Sequence, residues 1–275
     1  MALTVNTNVA ALSAGTQLNA TTRSLTRSFA RISSGLRISR AADDAAGLGV
    51  AENLDSISTS ARQAMRNTND GISVIATAEG AASETGDILK RMRELAVQSS
   101  SETLDDDERA YIQEEFEQLS AEVERISSVT EFNGVALSDG TNTQIDVQVG
   151  VNGTADDRIT ITLGDMRSTV LGVDTASLDL STASGAQSAI SAIDTAIDTV
   201  SGYRSDLGAV ENRLDSALNN LETYTTNLES AESRIRDLDF AFATAELSKQ
   251  QIMQQAGVSV LAQANGINSA AAQLI

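Results

Sequence analysis

The stretch IDTAIDTVSGYRSDLGAVENRLDSALNNLETYTTNLESAESRI, residues 193–235, repeats its apolar side chains every seven residues. One set of heptad positions holds Ile193, Val200, Leu207, Leu214, Leu221, Leu228 and Ile235. The set three residues later holds Ala196, Tyr203, Val210, Ala217, Tyr224, Ala231 and Leu238. This repeat predicts a helix of about 45 residues and about 65–70 Å. Most of the stability of such a helix comes from packing its apolar face, so we expect a second helix beside it.

Residues 54–96 provide that second helix, because the same heptad phase holds there for six repeats. Its two sets of positions are Leu54, Ala61, Thr68, Ile75, Ala82, Leu89, Ala96 and Ile57, Ala64, Gly71, Ala78, Thr85, Met92. A flanking row, Val74, Ala81, Ile88 and Leu95, makes the apolar stripe wider than two helices need, which predicts a larger bundle. Asn69-Asp70-Gly71 is typical of a turn, but the unbroken phase favours one continuous helix.

The segment between the two long helices changes its periodicity. Residues 104–109, LDDDER, suit a helix start, and Ile112, Phe116, Leu119, Val123 and Ile126 follow at helical spacing. From Phe132 onward, turn pairs and alternating apolar residues predict a small β-hairpin region at about 132–180. Its two strands are expected around Ile145–Val149 and Ile159–Leu163.

The two ends of the chain resemble each other. The first end has apolar residues at alternating steps of three and four, and the last end has them mainly at steps of four. The residues concerned are Ala11, Ala14, Leu18, Thr22, Leu25, Phe29, Ile32, Leu36, then Leu247, Ile252, Ala256, Val260, Leu261 and Ala264. If the long helices are antiparallel, both ends emerge together and pair as a coiled coil. The expected fold is therefore mainly α, a long antiparallel bundle with one small β-hairpin region.

Composition restricts the function. The 275 residues carry a net charge of −19 and contain no Cys, His, Pro or Trp. These absences exclude disulfides, thiolate or imidazole metal ligands and a Ser-His-Asp triad. The acidic balance argues against nucleic-acid binding. No apolar run is long enough for a transmembrane helix, and the first twenty residues lack the basic lead of a secretory signal.

Several long motifs resemble bacterial flagellin, the subunit of the flagellar filament. They are SSGLRISRAADDAAGLGVAENL, RNTNDGISVIATAEGA, RMRELAVQSS, FNGV, YRSDLGAVENRLDSALNNL, SRIRDLDFA and QQIMQQAGVSVLAQAN. The resemblance covers residues 1–136 and 190–266, in the order of the family. The middle is too short for the globular outer domains of larger flagellins, so the chain resembles a short form. The tail at 265–275 departs from the Pro-containing, Leu-rich ending typical of the family.

The resemblance implies two core domains. Residues 1–43 and 236–275 would form an inner-core coiled-coil domain, and residues 44–235 an outer-core helical bundle. It also implies export through the flagellar secretion channel to an extracellular flagellum, with a homopolymer of many copies. The implied further partners are the flagellar cap, the hook-junction proteins and an export chaperone. Leu25, Phe29, Ile32, Leu36, Leu247, Ile252, Val260 and Leu261 are the expected polymerisation residues of the terminal helices.

The segment ISSGLRISRAADDAAGLG, residues 32–49, joins two helices. Gly47-Leu48-Gly49 has a weak likeness to a dinucleotide loop, but the third glycine and the preceding strand are missing. We interpret the segment as a joint, in which Asp43 or Asp44 caps the second helix. Arg37 and Arg40 are then expected within reach of acids on this or a neighbouring subunit. The resemblance places the segment at the spoke between the core domains.

A second motif of interest includes Arg91 and Leu95, four residues apart on the second helix. In flagellins with this motif, the matching residues and a Glu of the next helix, here Glu115, contact the vertebrate Toll-like receptor that senses flagellin. The interpretation we favour as the primary role is packing against neighbouring subunits.

The acidic residues do not indicate a catalytic, cofactor or metal site. Asp105–Glu108 lacks the spacing and glycine of a calcium loop, and Glu114 and Glu115 diverge on a rod without a pocket. The expected function is that of a self-assembling structural subunit for swimming motility, not an enzyme. The alternatives are the hook–filament junction protein of the flagellum and, from another class, a coiled-coil signalling protein.

Overall fold

The computed structural model describes residues 7–272, and the side chains of residues 7–266. The expected contributions of residues 1–6 and 273–275 to the terminal domain lie outside the described residues. The elements in chain order are α1 (Val9–Ser34), α2 (Ala45–Ser99), α3 (Asp106–Val129), β1 (Glu131–Phe132), β2 (Val135–Ala136), β3 (Gln144–Gln148), a 3₁₀ turn (Ala155–Asp157), β4 (Arg158–Thr162), α4 (Ser168–Leu171), α5 (Ala183–Arg236) and α6 (Phe240–Ala272). The mainly α fold class with a small β region is confirmed.

The chain divides into two compact units. One contains residues 1–58 and 226–275, and the other contains residues 59–225. Within the described residues, no helix combines the length and hydrophobicity needed to cross a bilayer.

The unit of residues 59–225 is a bundle in which α2 and α5 run antiparallel. Arg93 pairs with Asp194 at 2.6 Å, and Arg204 pairs with Glu79 at 3.3 Å, so rising numbers on one helix meet falling numbers on the other. Most heptad positions point into one large core, where Ile75, Leu89, Met92, Ile193, Leu207 and Leu214 are among the fully buried side chains. Ala61, Ala64 and Leu221 form a smaller, separate cluster. The prediction of two long antiparallel helices is confirmed.

The helix α2 continues through Asn69-Asp70-Gly71, as the heptad phase predicts. A side chain at position 71 would meet a neighbour, because its Cβ would lie 3.0 Å from Val147 Cγ2 of β3. The glycine therefore allows the β-hairpin to approach the helix, and it is not a turn residue here.

The helix α3 begins with the acidic cap that the sequence predicts. The Asp105 side chain accepts a hydrogen bond from the Glu108 N–H at 2.8 Å, and the Glu108 side chain accepts one from the Asp105 N–H at 3.3 Å. This reciprocal capping box satisfies two backbone donors at the helix start. One face of α3 then packs into the bundle core through Ile112, Phe116, Val123 and Ile126.

The buried Arg109 closes the connection between α2 and α3. Its guanidinium donates to three backbone carbonyls, those of Ser99, Ser101 and Leu104. A cation at the carbonyl end of a helix is favourable because those carbonyls carry partial negative charge. The role of this residue was not predicted from the sequence.

The β region contains two separate antiparallel strand pairs in the described chain, where the sequence predicts one hairpin region. The strands β1 and β2 are joined by Asn133-Gly134, and both residues have positive φ, 51° and 78°. Such values suit the two-residue turns of tight hairpins. The strands β3 and β4 pair from Gln144↔Thr162 to Gln148↔Arg158, which confirms the strands predicted on either side of Gly150–Asp157.

Candidate functional site

The terminal helices α1 and α6 pack side by side and antiparallel. The Asn8 side-chain amide donates to the Ala264 carbonyl at 3.0 Å, and the Ser28 hydroxyl donates to Gln250 Oε1 at 2.9 Å. A Cβ on Gly257 would lie 3.3 Å from Leu18 Cδ1, so a small residue permits the close approach. The predicted pairing of the chain ends is therefore present in the described residues.

The packing of this pair is shallow. No residue of α1 is buried, and no described side chain of α6 is buried either. The described half-buried positions of α6 are Ala243, Glu246, Leu247, Gln250, Gln254, Gly257, Leu261 and Ala264, and apart from Glu246 they step by three and four. Leu25 and Ile32 on α1 are half-buried in the same way. The two helices thus cover only part of each other.

Among the described residues of α1 and α6, nine large apolar side chains are exposed to solvent, and together they are called here the exposed apolar surface of these helices. Its large side chains are Val9, Leu12, Phe29, Phe240, Phe242, Ile252, Met253, Val258 and Val260. Ile252 is 65% exposed and Val260 is 53% exposed. The four-residue spacing of Ile252, Ala256 and Val260 therefore marks the outer face of α6, which the spacing alone did not assign. A row at steps of four rotates away from a pairing face that follows steps of three and four.

The first helix ends at Ser34, so Leu36 lies outside it. Gly35 adopts a left-handed conformation with φ of 73° and ends the helix, its N–H donating to the Arg31 carbonyl at 2.9 Å. Leu36 instead forms a β-bridge with Asp237. The prediction that Leu36 continues the helical row is therefore wrong, because the glycine conformation turns the backbone before that residue.

Backbone hydrogen bonds tie the segment after α1 to the junction between α5 and α6. The Arg37 N–H donates to the Arg236 carbonyl at 2.7 Å, and the Leu238 N–H donates to the Gly35 carbonyl at 3.0 Å. The Arg37 guanidinium also donates to the Ile235 carbonyl. Arg37 therefore binds the carbonyl end of α5, and within the described residues its recorded partners are carbonyls, not the acids that were expected.

Asp44 caps the amino-terminal end of α2, where the sequence predicts either Asp43 or Asp44 as the capping residue. Its Oδ1 accepts from the Gly47 N–H at 2.9 Å. A Cβ on Gly47 would lie 2.5 Å from Asp44 Oδ2 and 2.8 Å from Ile38 Cδ1, so a larger residue here would force these neighbouring side chains to shift. Ile38 is almost completely buried here. The glycine thus serves packing and capping inside a helix, which agrees with a structural joint.

Asp43 makes a different contact, an ion pair with Arg31 of α1 at 3.2 Å. Partial burial acts to raise the pKa of Asp43, but hydrogen bonds from Ser39 and Arg31 outweigh it and hold the pKa below its ordinary value. The carboxylate is therefore charged at neutral pH and fixes residues 39–43 against α1. Arg40 is exposed, and no ion pair is recorded for it among the described residues.

We expect the Arg31–Asp43 pair to weaken in acid. Because the folded-state pKa is lowered, its stabilisation is full above the ordinary Asp value of about 3.9 and is lost as the pH falls through the lower folded-state pKa. A carbon-detected NMR titration of the Asp43 carboxyl measures this directly. The matched variant Asp43→Asn should lose the pH dependence of the joint. A midpoint at or above the ordinary value would contradict the pairing.

Comparison with known proteins places these features in a family. Residues 5–143 match the bacterial flagellin N-terminal helical region, and residues 190–275 match the bacterial flagellin C-terminal helical region. A flagellin from Halalkalibacterium halodurans is 42% identical over 271 residues, which span 98% of this chain and 99% of that protein. The chain belongs to the bacterial flagellin family. Its match to a relative of nearly the same length agrees with a short flagellin without outer domains.

A second relative and a solved structure also resemble this flagellin. The flagellar filament core protein flaB2 from Brachyspira hyodysenteriae is 38% identical over 282 aligned positions, covering 98% of this chain and 99% of that protein. A solved structure assigned as a flagellar hook-associated protein from Vibrio parahaemolyticus superposes with a TM-score of 0.58 at 15% identity. That likeness covers 71% of this chain and all of the other, and it shows a shared fold alone.

In this flagellin, some residues of the Arg91 motif lie on the surface and one lies in the core of the bundle. Arg91 donates to Glu115 Oε1 from Nε at 3.0 Å and from Nη2 at 2.7 Å. The hydrogen bond with Glu115 raises the pKa of Arg91 above its ordinary value. Both side chains are about half exposed, whereas Leu95 is 1% exposed and belongs to the bundle core. Direct contact of Leu95 with another molecule is incompatible with this burial.

Proposed function

We propose that this flagellin polymerises through the exposed apolar surface of α1 and α6 into the helical flagellar filament used for swimming. The filament-subunit function follows from membership of the family, whose relatives include a protein named as a flagellar filament core protein. The role of the terminal helices is supported by one observation above all. They expose nine large apolar side chains on a pair of helices in which no described residue is buried.

The physical argument is one of incomplete burial. Removing one large apolar side chain from water stabilises a structure by about 1.5–3 kcal/mol. The bundle obtains that stabilisation within its own chain, whereas the large apolar side chains of α1 and α6 stay exposed to water. Identical copies can cover these faces, and a head-to-tail contact that does not close into a ring produces an open helical polymer.

By the same argument, the two domains of the subunit have different roles. Residues 1–43 and 236–275 would form the inner-core polymerisation domain, and residues 44–235 the outer-core bundle. Within the first, Leu25, Ile32, Leu247 and Leu261 would hold the pair together. Phe29, Ile252 and Val260 would contact other copies. Ordering the ends only on joining the filament would delay polymerisation, because the ordering entropy is offset only by burial there.

The segment containing Arg37, Arg40, Asp43 and Asp44 would act as the spoke between these domains. Arg37, Asp43 and Asp44 make contacts inside the chain that fix its path. The exposed guanidinium of Arg40 would be the member that reaches an acid of a neighbouring subunit. Of these four side chains, that of Arg40 is the one for which no hydrogen bond or ion pair is recorded within the described residues.

We also propose how the subunit is exported and added to the filament. The chain would be exported unfolded through the flagellar channel and inserted beneath the cap, next to the hook-junction proteins, after a chaperone has held its C-terminal region. The lack of cysteine suits passage of an unfolded chain through a narrow pore. The resulting filament is extracellular.

Recognition by a Toll-like receptor would be incidental to assembly. Arg91 and Glu115 form a half-exposed charged pair suited to contact with a partner, while Leu95 would support the helix from the core. Receptor contact would require dissociated monomer, because neighbouring subunits would compete for the same surface.

Seeded growth tests the proposed function. Purified monomer, prepared by heat dissociation, should elongate sheared seeds into filaments many subunits long, visible by electron microscopy and pelleted by ultracentrifugation. A hook–filament junction protein would instead yield short rings or remain soluble. Monomer that stays in the supernatant at high concentration with fresh seeds would refute the proposal.

A further inference from the structure

The N-terminal part of the chain has a charge opposite to the rest. Residues 1–42 contain five arginines and no acidic residue. Residues 43–275 contain 14 basic and 38 acidic residues. The positive charge is therefore concentrated in one segment of an otherwise acidic chain, where it can form a localised positive surface.

Three of the five arginines form a stripe along α1. Arg23, Arg27 and Arg31 are spaced by four residues, so they follow one another on one side of the helix. Arg27 and Arg31 line a groove that Glu246 and Gln250 of α6 also line, so this part of the stripe lies at the edge of the α1–α6 pair.

Among the residues that the structure describes, only the last member of this stripe has a recorded ion pair. Arg31 pairs with Asp43 at 3.2 Å. Arg27 donates to Ser24 of its own helix at 3.1 Å, and Glu246, which lines the same groove, pairs with Lys249 instead. Arg23 and Arg27 are exposed, and no ion pair is recorded for either within the described residues. Two exposed cations of α1 therefore have no recorded carboxylate partner in the described part of the chain.

We propose that Arg23 and Arg27 bind carboxylates on the acidic surface of a second copy of this chain during assembly. The inference rests on the proposed self-assembly and specifies its electrostatic part. Copies with a net charge of −19 repel one another as they approach, and a polymer must offset that repulsion. A basic face meeting an acid-rich face of another copy does so, and it favours the head-to-tail arrangement over a symmetric pair.

The charge-neutral variant Arg23→Gln with Arg27→Gln tests this inference, and Arg23→Lys with Arg27→Lys is its charge-retaining control. The measurement is the critical concentration for elongation of wild-type seeds, taken across a range of NaCl concentrations. Because the glutamine variant loses two exposed ion pairs, its critical concentration at low salt should be roughly 2- to 30-fold higher than that of the wild type. The difference should vanish near 1 M salt, where screening acts within about 3 Å. The lysine variant should match the wild type.

The outcomes separate this inference from the proposed function. Wild-type chain that fails to elongate seeds would refute self-assembly itself. Normal wild-type growth with an unchanged critical concentration for the glutamine variant, or with an equal defect in the lysine variant, would overturn the charge pairing alone. An unchanged critical concentration combined with lost retention on phosphatidylserine vesicles would assign the stripe to a membrane surface and also overturn it. Equal circular dichroism of all three chains verifies that the helices are intact.

Discussion

Removal of residues 240–275 is expected to abolish filament growth and leave the bundle folded. The deletion takes away α6 and with it the partner of α1, so both faces of the proposed polymerisation surface are lost. The antiparallel bundle of residues 59–225 has its own core and should retain its helical circular dichroism and cooperative unfolding. Filaments formed by the truncated chain would refute the role of the terminal helices.

A point variant makes the same test without deleting a helix. Ile252→Gln with Val260→Gln keeps good helix formers on α6 and removes two side chains from its exposed apolar face. Each of these side chains would contribute about 1.5–3 kcal/mol to filament stability when another copy buries it. Losing both predicts a critical concentration more than about 100-fold higher than that of the wild type. Lys249→Gln, an exposed change on the same helix, is the matched control and should assemble nearly as the wild type does. Equal assembly of the double variant would contradict the proposed surface.

Phe116→Ala is expected to lower the free energy of unfolding of the bundle by about 3–5 kcal/mol, because a completely buried aromatic ring leaves a cavity. The matched control is Tyr111→Ala on the same helix, where the ring is 74% exposed. That change should stay within about 0.5 kcal/mol. Urea unfolding followed by circular dichroism measures both. A loss below 1 kcal/mol for Phe116→Ala would mean that α3 is not an integral part of the core.

The elements with a long periodic pattern could be predicted from the sequence. The heptads identified α2 and α5, because burial against each other selects one stripe on each helix. Their phase correctly overruled the turn signal at Asn69-Asp70-Gly71. The alternation at Ile145–Val149 and Ile159–Leu163 also located the paired strands, because one face of each strand packs into the core of the bundle.

The local features that depend on a second segment could not be predicted. Leu36 fits the helical row, but its backbone pairs with Asp237, about two hundred residues away in sequence. Leu95 lies only four residues from exposed Arg91, and the packing around α2 decides that it is buried. The buried cation Arg109 depends on three carbonyls of the preceding connection. Sequence spacing contains no information about such partners.

The outer face of α6 illustrates the same limit at the candidate site. The apolar residues of this helix outnumber those that one partner helix can cover, so periodicity alone did not say which row faces α1. The structure assigns Leu247 and Leu261 to the half-buried side and Ile252 and Val260 to the exposed side. The excess of apolar residues was itself a signal that a further partner is needed.

Amide hydrogen exchange of the same chain as monomer and as filament tests the central claim most directly. The claim predicts rapid exchange across α1 and α6 in the monomer, slow exchange in residues 59–225 in both states, and strong protection of α1 and α6 only in the filament. Terminal helices that are already as protected in the monomer as the bundle is, with no further gain on polymerisation, would contradict it.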